Sequence, residues 1–425
     1  MQGDGLDKRL DFDRTGAEAV QICQELIRIN TTNPYSGDDQ PGDEAAGQDF
    51  IEPLLREVGA RTHRFDPPAD IYERMGVIGP RGRRFDGRPN LVAEWVFGSG
   101  RGPRILLQGH IDTVGVRNMQ IDPFSGHIEN GQIWGRGASD MKGAMGATIA
   151  ALRAVARRAQ ELNGSIVFMS VVDEECDGLG AGSLACMERG FRGDVALSTD
   201  GTGPAVVRGY GGVLTARIVL QGRGGHAAAP INLAEPTAME RALRVAQAIL
   251  DFRAERWQSA GLPTNLGVFQ SGAHPATVPS EAVLGVNISY SFAEAVAAQR
   301  EGAGYGGGPL RAQFEARVRA ADPTARVEWV KDAIPFETPA DHPQVQRLAE
   351  LHRRILGPER AGPVRTELAW TDACHLWYHG RMPTLVYGAG TPGMAHSERE
   401  RTDVWRVEGC ARVLAAYLYT TLRAG

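Results

Sequence analysis

The sequence predicts an α/β fold: a layered domain on a mostly parallel sheet, with a smaller α+β unit inserted into it. Up to Asp200, apolar runs of strand length alternate with helical stretches, the pattern of a parallel sheet covered on both faces. After Asp200 the strands alternate apolar and polar residues, as half-buried strands do, and near residue 335 the first pattern returns. The 425 residues accommodate two such units at roughly 100–200 residues per domain.

The first element is a helix over 17–29, where Ala19, Ile22, Cys23 and Leu26 recur at helical spacing. Residues 30–47, rich in Asn, Pro, Gly and Asp, read as loop, and a second helix follows near 47–58. Apolar strands are predicted at 91–97, 104–112, 164–175 and 194–200, with a helix over 142–162. The inserted unit then reads as strand 211–222, helix 235–258, strands 265–271 and 280–290, a helical region 291–320 and strand 325–330. Glycines at 302–308 interrupt that helical region and predict a flexible surface loop, able to act as a flap. Helix 342–356, strand 384–388 and helix 404–422 return the chain to the first unit.

Composition narrows the function. Hydrophobic residues at 42% and charged ones at 23% are ordinary for a globular protein. A net charge of −5 without a basic run argues against nucleic-acid binding. No apolar stretch reaches the ~20 residues of a membrane span. The polar N-terminus lacks a secretion signal's apolar core. Cys23, Cys176, Cys186, Cys374 and Cys410 show no CxxC spacing, which predicts reduced thiols and a cytoplasmic protein.

His110 and Asp112, in GHID, lie two apart at the end of an apolar strand and so project to one side. A ligating histidine usually donates its second ring N–H to a carboxylate, a role open to Asp112. Asp140, in WGRGASDMKG, reads either as a helix cap or as a carboxylate aimed at the strand ends, where open α/β sheets bind ligands. Arg136 and Lys142 read as helix-terminus charges. Asp173, Glu174 and Glu175 close a buried strand, and three unpaired buried carboxylates are expensive. A cation resolves that cost. Strand neighbours face opposite ways, so one of Glu174 and Glu175 would bind metal while the other handles protons. Asp200 ends the next strand, and His396 sits in a loop after a later one. Imidazole with carboxylate suits Zn²⁺ or Mn²⁺, and a bridging carboxylate suits two ions.

The stretches LLQGHIDTV, DPFSGHIENGQIWGRGASDMKGAMGA, DEECDGLGA, LSTDGTG, GRGGHAAAP, TDACHLWYHGRMPTLVYGAG and AHSERE span nearly the whole chain. In content and order they resemble the co-catalytic metallohydrolases that include carboxypeptidase G, acetylornithine deacetylase, succinyl-diaminopimelate desuccinylase and aminoacylase. The resemblance implies a zinc-peptidase-like catalytic domain at 1–208 and 334–425, and a ferredoxin-like lid at 209–333 that mediates homodimerisation. It implies one or two divalent ions (Zn, Mn or Co) held by His110, Asp140, Glu175, Asp200 and His396, with Asp140 bridging. Asp112 would orient His110, Glu174 would be the general base, and His226 would polarise the substrate's oxygen, often from the partner subunit. Asp200 stands where many members have Glu. The lid departs further. Ala276 replaces an Asn, and Asn287-Ile-Ser289 stands where an Asp-x-Arg triplet is usual, so these substrate-binding positions lack a bidentate carboxylate clamp.

The resulting expectation is a metal-dependent hydrolase that cleaves a C–N bond of a small carboxylated substrate. The altered lid keeps open hydrolytic deamination of an activated aromatic amine such as 5-nitroanthranilate, the reaction of one relative in that family. A non-catalytic metal-binding homologue is the reading of another class. A serine hydrolase is disfavoured because no GxSxG elbow is present.

Overall fold

The computed structural model describes residues 6–39, 41–228 and 235–423. A nine-stranded sheet carries the larger part of the chain. Its strands run in the order Arg61–Phe65, Asn90–Phe97, Gly164–Val171, Arg104–His110, Val195–Ser198, Thr384–Val386, Val206–Tyr210 and Phe336–Glu337, with Val364–Glu367 also paired to Val206–Tyr210. The four central strands are parallel to one another, and antiparallel pairs close both edges.

The central strands are apolar throughout because both faces are covered. Ile105, Leu107, Ile166 and Phe168 pack with the helices Phe12–Arg28, Gly143–Ala156 and Val404–Leu422. Leu106, Val167 and Met169 face the opposite way, against Cys186, Met187 and Leu376. Each fully buried Leu or Phe contributes about 1.5–3 kcal/mol relative to exposure. Gly146 lets two helices touch: a Cβ there would lie 2.8 Å from the Cys23 nitrogen.

The chain leaves this sheet at Tyr210 and begins a second one at Gly212. The second sheet is antiparallel, ordered Thr264–Ser271, Glu281–Tyr290, Gly212–Gln221, Arg326–Ala333. Helices Ala238–Ala260 and Gly308–Ala321 cover one face, burying Leu214, Ile218, Leu284, Val286 and Ile288. A capping box of Thr237 and Glu240 starts the longer helix, and Gly261 at φ +66° ends it. The βαββαβ order is ferredoxin-like. Phe336 then rejoins the large sheet opposite Tyr210.

Three expectations change. The edge strand Arg61–Phe65 and the helix Ala181–Glu188 were not legible as elements, since one is mostly polar and the other short and apolar on all sides. The predicted strand 164–175 stops at Val171, so Glu174 and Glu175 lie in a loop and strand alternation does not apply to them. The glycine-rich 302–308 segment is docked. The Tyr305 hydroxyl donates to the Pro335 carbonyl at 2.6 Å, and its ring stacks 5.1 Å from Tyr378.

Candidate metal centre

Three adjacent parallel strands end at one place and deliver most of the chemistry. His110 closes the middle strand, opposite Val171. Glu174 and Glu175 follow one neighbouring strand, and Asp200 follows the other. Asp140 enters from the turn before helix Gly143–Ala156, and His396 from the loop between Val386 and Arg401. This is the carboxyl end of an open α/β sheet, where ligands bind because loops diverge there. Close approach of helix to strand depends on Gly109, where a Cβ would meet Met145 Sδ at 2.5 Å.

His110 Nε2 lies 3.1 Å from Asp140 Oδ1, His396 Nε2 lies 3.4 Å from Asp140 Oδ2, and His396 Nε2 lies 3.0 Å from Glu175 Oε1. Potential ligand atoms of His110, Asp140 and Asp200 fall within 4.8 Å of one another, as do those of Asp140, Glu175 and His396. A third such group joins His110, Glu174 and Glu175. Asp140 belongs to the first two groups, as a bridging carboxylate would.

The electrostatics ask for positive charge. Burial pushes Glu175 up to about 7, with Asp140 adding, and pushes Asp200 up to about 6 for the same two reasons. Hydrogen bonds to Asp140 and Glu175 carry His396 up to about 11. Burial opposes charge on His110, yet Asp112 and Asp140 hold its pKa well above the ordinary value. Burial likewise opposes ionisation of Asp140, and the two histidines overcome it. Acids that retain protons and histidines that gain them both mark a pocket short of cations. The donor set of imidazole and carboxylate fits Zn²⁺ or Mn²⁺.

Asp112 differs in detail from the expectation. His110 Nδ1 meets the Asp112 backbone carbonyl at 2.9 Å, while the carboxylate stands at 3.6 Å, too long for a hydrogen bond. That contact leaves Nε2 facing Asp140. The Asp112 carboxylate instead accepts from Asn33 Nδ2 at 2.7 Å and from the Glu175 and Glu174 N–H groups at 3.1 and 3.4 Å. It therefore fixes the loop that holds both glutamates. Asp173 is spent elsewhere, on Tyr72 at 2.8 Å and Arg83 at 2.7 Å, with Arg88 beside it. Ion pairing, not a metal, answers the burial of the third acid. Burial also pushes Glu174 well above the ordinary carboxylate range, with Glu175, Asp200 and Asp372 adding and His110 opposing.

Three supporting residues escaped the sequence reading. Glu400 is buried and accepts from the Ser139 and Asp140 N–H groups at 2.9 and 3.1 Å while pairing with Arg136. Arg136 is thus a buried partner, not a helix-terminus charge, and Lys142 is likewise buried, donating to the Ile29 carbonyl at 2.7 Å. Asp372 accepts from Gln108 at 2.9 Å and Ser183 at 2.7 Å, and burial raises it to about 6. Asn33 completes the set. Their partners lie far away in sequence, so only the acids in SERERTD and TDACH hinted at Glu400 and Asp372, and nothing local hinted at Asn33.

The lid residues are not gathered at the cluster. His226 is exposed on a two-strand ribbon with Thr277, its Nδ1 accepting from Ala228 N at 3.1 Å, and Ala276 is beside it through its carbonyl to Ala227 N at 2.9 Å. Asn287 and Ser289 stand at the other end of the strand Glu281–Tyr290. Eight residues at ~3.4 Å each separate Glu281 from Ser289, about 27 Å, so Ala276 and Ser289 are not neighbours within one chain. Ser289 is buried, and its carbonyl accepts from Arg256 at 2.7 Å.

The description "Peptidase family M20/M25/M40" matches residues 106–420. A curated N-formyl-4-amino-5-aminomethyl-2-methylpyrimidine deformylase of Halalkalibacterium halodurans is 25% identical, covering 96% of this chain and 95% of its own. A succinyl-diaminopimelate desuccinylase of Beijerinckia indica is 30% identical over 55% of this chain and 57% of its own. Among solved structures, a tripeptidase from Staphylococcus aureus superposes with a TM-score of 0.71 at 17% identity, covering 96% of this chain and 98% of that one. A dinuclear metal-binding peptidase from Bacillus subtilis does so at 0.64 and 14%, covering 96% and 99%.

Proposed function

Because this chain belongs to peptidase family M20/M25/M40, whose relatives above are hydrolases of C–N bonds, we propose that it hydrolyses the amide of a small N-acylated amine at a two-metal centre. The observation that carries this reading is the sharing of Asp140 between two sets of ligand atoms. His110, Asp140 and Asp200 would hold one ion; Asp140, Glu175 and His396 would hold the other. Bound there, Zn²⁺ or Mn²⁺ supplies Lewis acidity and brings the pKa of water toward ~7.

The protein's own part is proton handling and orientation. Glu174 takes a proton from the attacking water and returns it to the leaving nitrogen, so that acid and amine are the products. A carboxylate whose proton affinity burial has raised is matched to that task near neutral pH. Asp112 and Asn33 hold the Glu174–Glu175 loop, and Glu400 holds Asp140 through its backbone.

His226 lies on the lid and donates to the oxygen that gains charge. We assign it to the site of a second copy, with residues 209–333 as the lid and dimerisation unit of a cytoplasmic homodimer. The lid's outermost strand leaves Val268 and Phe269 exposed, and the helix beside it exposes Leu243 and Trp257 at 57% and 63%. An open strand edge with apolar neighbours is suited to pairing with another chain.

The test is chelation followed by re-addition of single metals, with turnover measured on N-formyl, N-acetyl and N-succinyl amines. Loss on chelation and recovery with Zn²⁺, Mn²⁺ or Co²⁺ is expected. Full turnover after verified metal removal would sink the metal centre. Ammonia from an activated aminobenzoate, with no amide cleaved, would replace amide hydrolysis by aromatic deamination.

A further inference from the structure

Lys331 stands on the lid's last strand, Arg326–Ala333, whose pairing register slips between Trp329 and Lys331. Trp329 packs with the helix-side core. Regular alternation would send residue 331 the same way. The bulge instead turns Asp332 inward, where it accepts from the Tyr290 hydroxyl at 2.6 Å and Gly307 N at 3.3 Å. Lys331 is left on the opposite face, level with Thr215 and Asn287 across three strands. The next row holds Ala333, Val213 and Ser289. Ala333 and Val213 pack against Ile71, Tyr72 and Leu179 of the catalytic domain. Lys331 therefore enters the crevice between lid and catalytic domain, with its Nζ 3.4 Å from the Gly178 carbonyl and 5.3 Å from the centre of the Trp370 ring.

An ammonium carries three donors. Among the described residues that long contact is the only hydrogen bond of the Lys331 ammonium, which forms no ion pair. Two other lid cations are spent: Arg217 on Glu328 at 3.1 Å and Arg256 on Glu294 at 2.5 Å. A half-buried cation without an acid partner is costly to keep. Its charge environment is set by Glu174, Asp177 and Asp173 on one side and Arg83 on the other. The acids would repel a dianion such as phosphate, whereas a singly charged carboxylate balances one ammonium. Trp370 offers the flat apolar wall beside it.

We propose that Lys331 is the residue that binds a carboxylate of the substrate, with Trp370 flanking the group that bears it. The assignment rests on the hydrolytic reading above only in calling the ligand a substrate, and it is tested by binding. Benzoate and benzamide, equal in shape and different in charge, are titrated into the metal-loaded enzyme at constant ionic strength. Wild type is expected to favour benzoate by about ten- to hundredfold, the range of a charge-assisted hydrogen bond. Lys331→Met should bring that ratio near one, and Lys331→Arg should restore much of it. Metal content and the unfolding midpoint without ligand check each variant, and Lys331→Gln replaces Lys331→Met if that protein does not fold. An equal ratio in wild type and the neutral variant, including no preference in either, overturns the proposal. No turnover of any N-acyl amine alongside a Lys331-dependent ratio would refute the hydrolytic reading alone.

Discussion

Glu174 and Glu175 are chain neighbours with separate surroundings. Glu175 meets His396 at 3.0 Å, and among its charged neighbours Asp140 is the first to oppose its ionisation. Glu174 is grouped with His110 and lies within the field of Asp372. Removing the charge from each should have different consequences. Glu174→Gln keeps shape and metal content and should lose roughly 10²–10⁴ in kcat, the range of general acid–base help. Glu175→Gln should lower metal occupancy, read by elemental analysis of the dialysed protein. Normal turnover by Glu174→Gln, or full metal content with lost activity in Glu175→Gln, would exchange or cancel the two roles.

At the scale of elements, the homodimer proposed above would rest on the lid's outer strand Thr264–Ser271 and helix Ala238–Ala260. Val268, Phe269, Leu243 and Trp257 are exposed on these two elements. Charging two of them, as in Leu243→Glu with Trp257→Glu, should leave a folded monomer by analytical ultracentrifugation. If His226 acts across the dimer, the monomer loses the donor to the oxyanion, and kcat should fall on the order of 10²–10³. A monomer of undiminished activity would place the whole site within one chain. Secondary structure and metal content of the variant separate dissociation from misfolding.

The whole molecule carries a dependence on acid from a buried histidine. His375 donates Nε2–H to the Leu179 carbonyl at 2.8 Å, and burial depresses its pKa to about 3, with His379 adding. In the unfolded chain its value is ~6.5. Between these values the unfolded state binds the extra proton. The neutral form's stabilisation is therefore complete above ~6.5 and is lost as pH falls toward 3, by about 1.4 kcal/mol per pH unit. His375→Gln retains a donor and does not titrate, so its urea midpoint should fall less steeply from pH 6.5 to pH 4.5. Parallel slopes in the two proteins would remove His375 from the account.

The sequence by itself determined the layers, because periodicity follows from which faces are buried: Leu106 and Leu107 face opposite sides, so that strand had to be apolar throughout. It also marked the acids and histidines at strand ends, since such groups are rarely left there unpaired. The two-letter neighbourhood could not say which acid meets which partner. Asp173 lies next to Glu174 in the chain yet is consumed by Arg83 and Tyr72, about a hundred residues away in sequence. Glu400 reaches back to Asp140 across 260 residues, and Asn33 to Asp112 across 79. The direction of Lys331 was hidden for another reason: one extra residue in a ladder reverses every side chain beyond it, and only the pairing partner reveals that residue. Local composition fixes burial and element type, whereas charge pairing and side-chain direction depend on distant strands meeting in register, and the tertiary structure alone decides that.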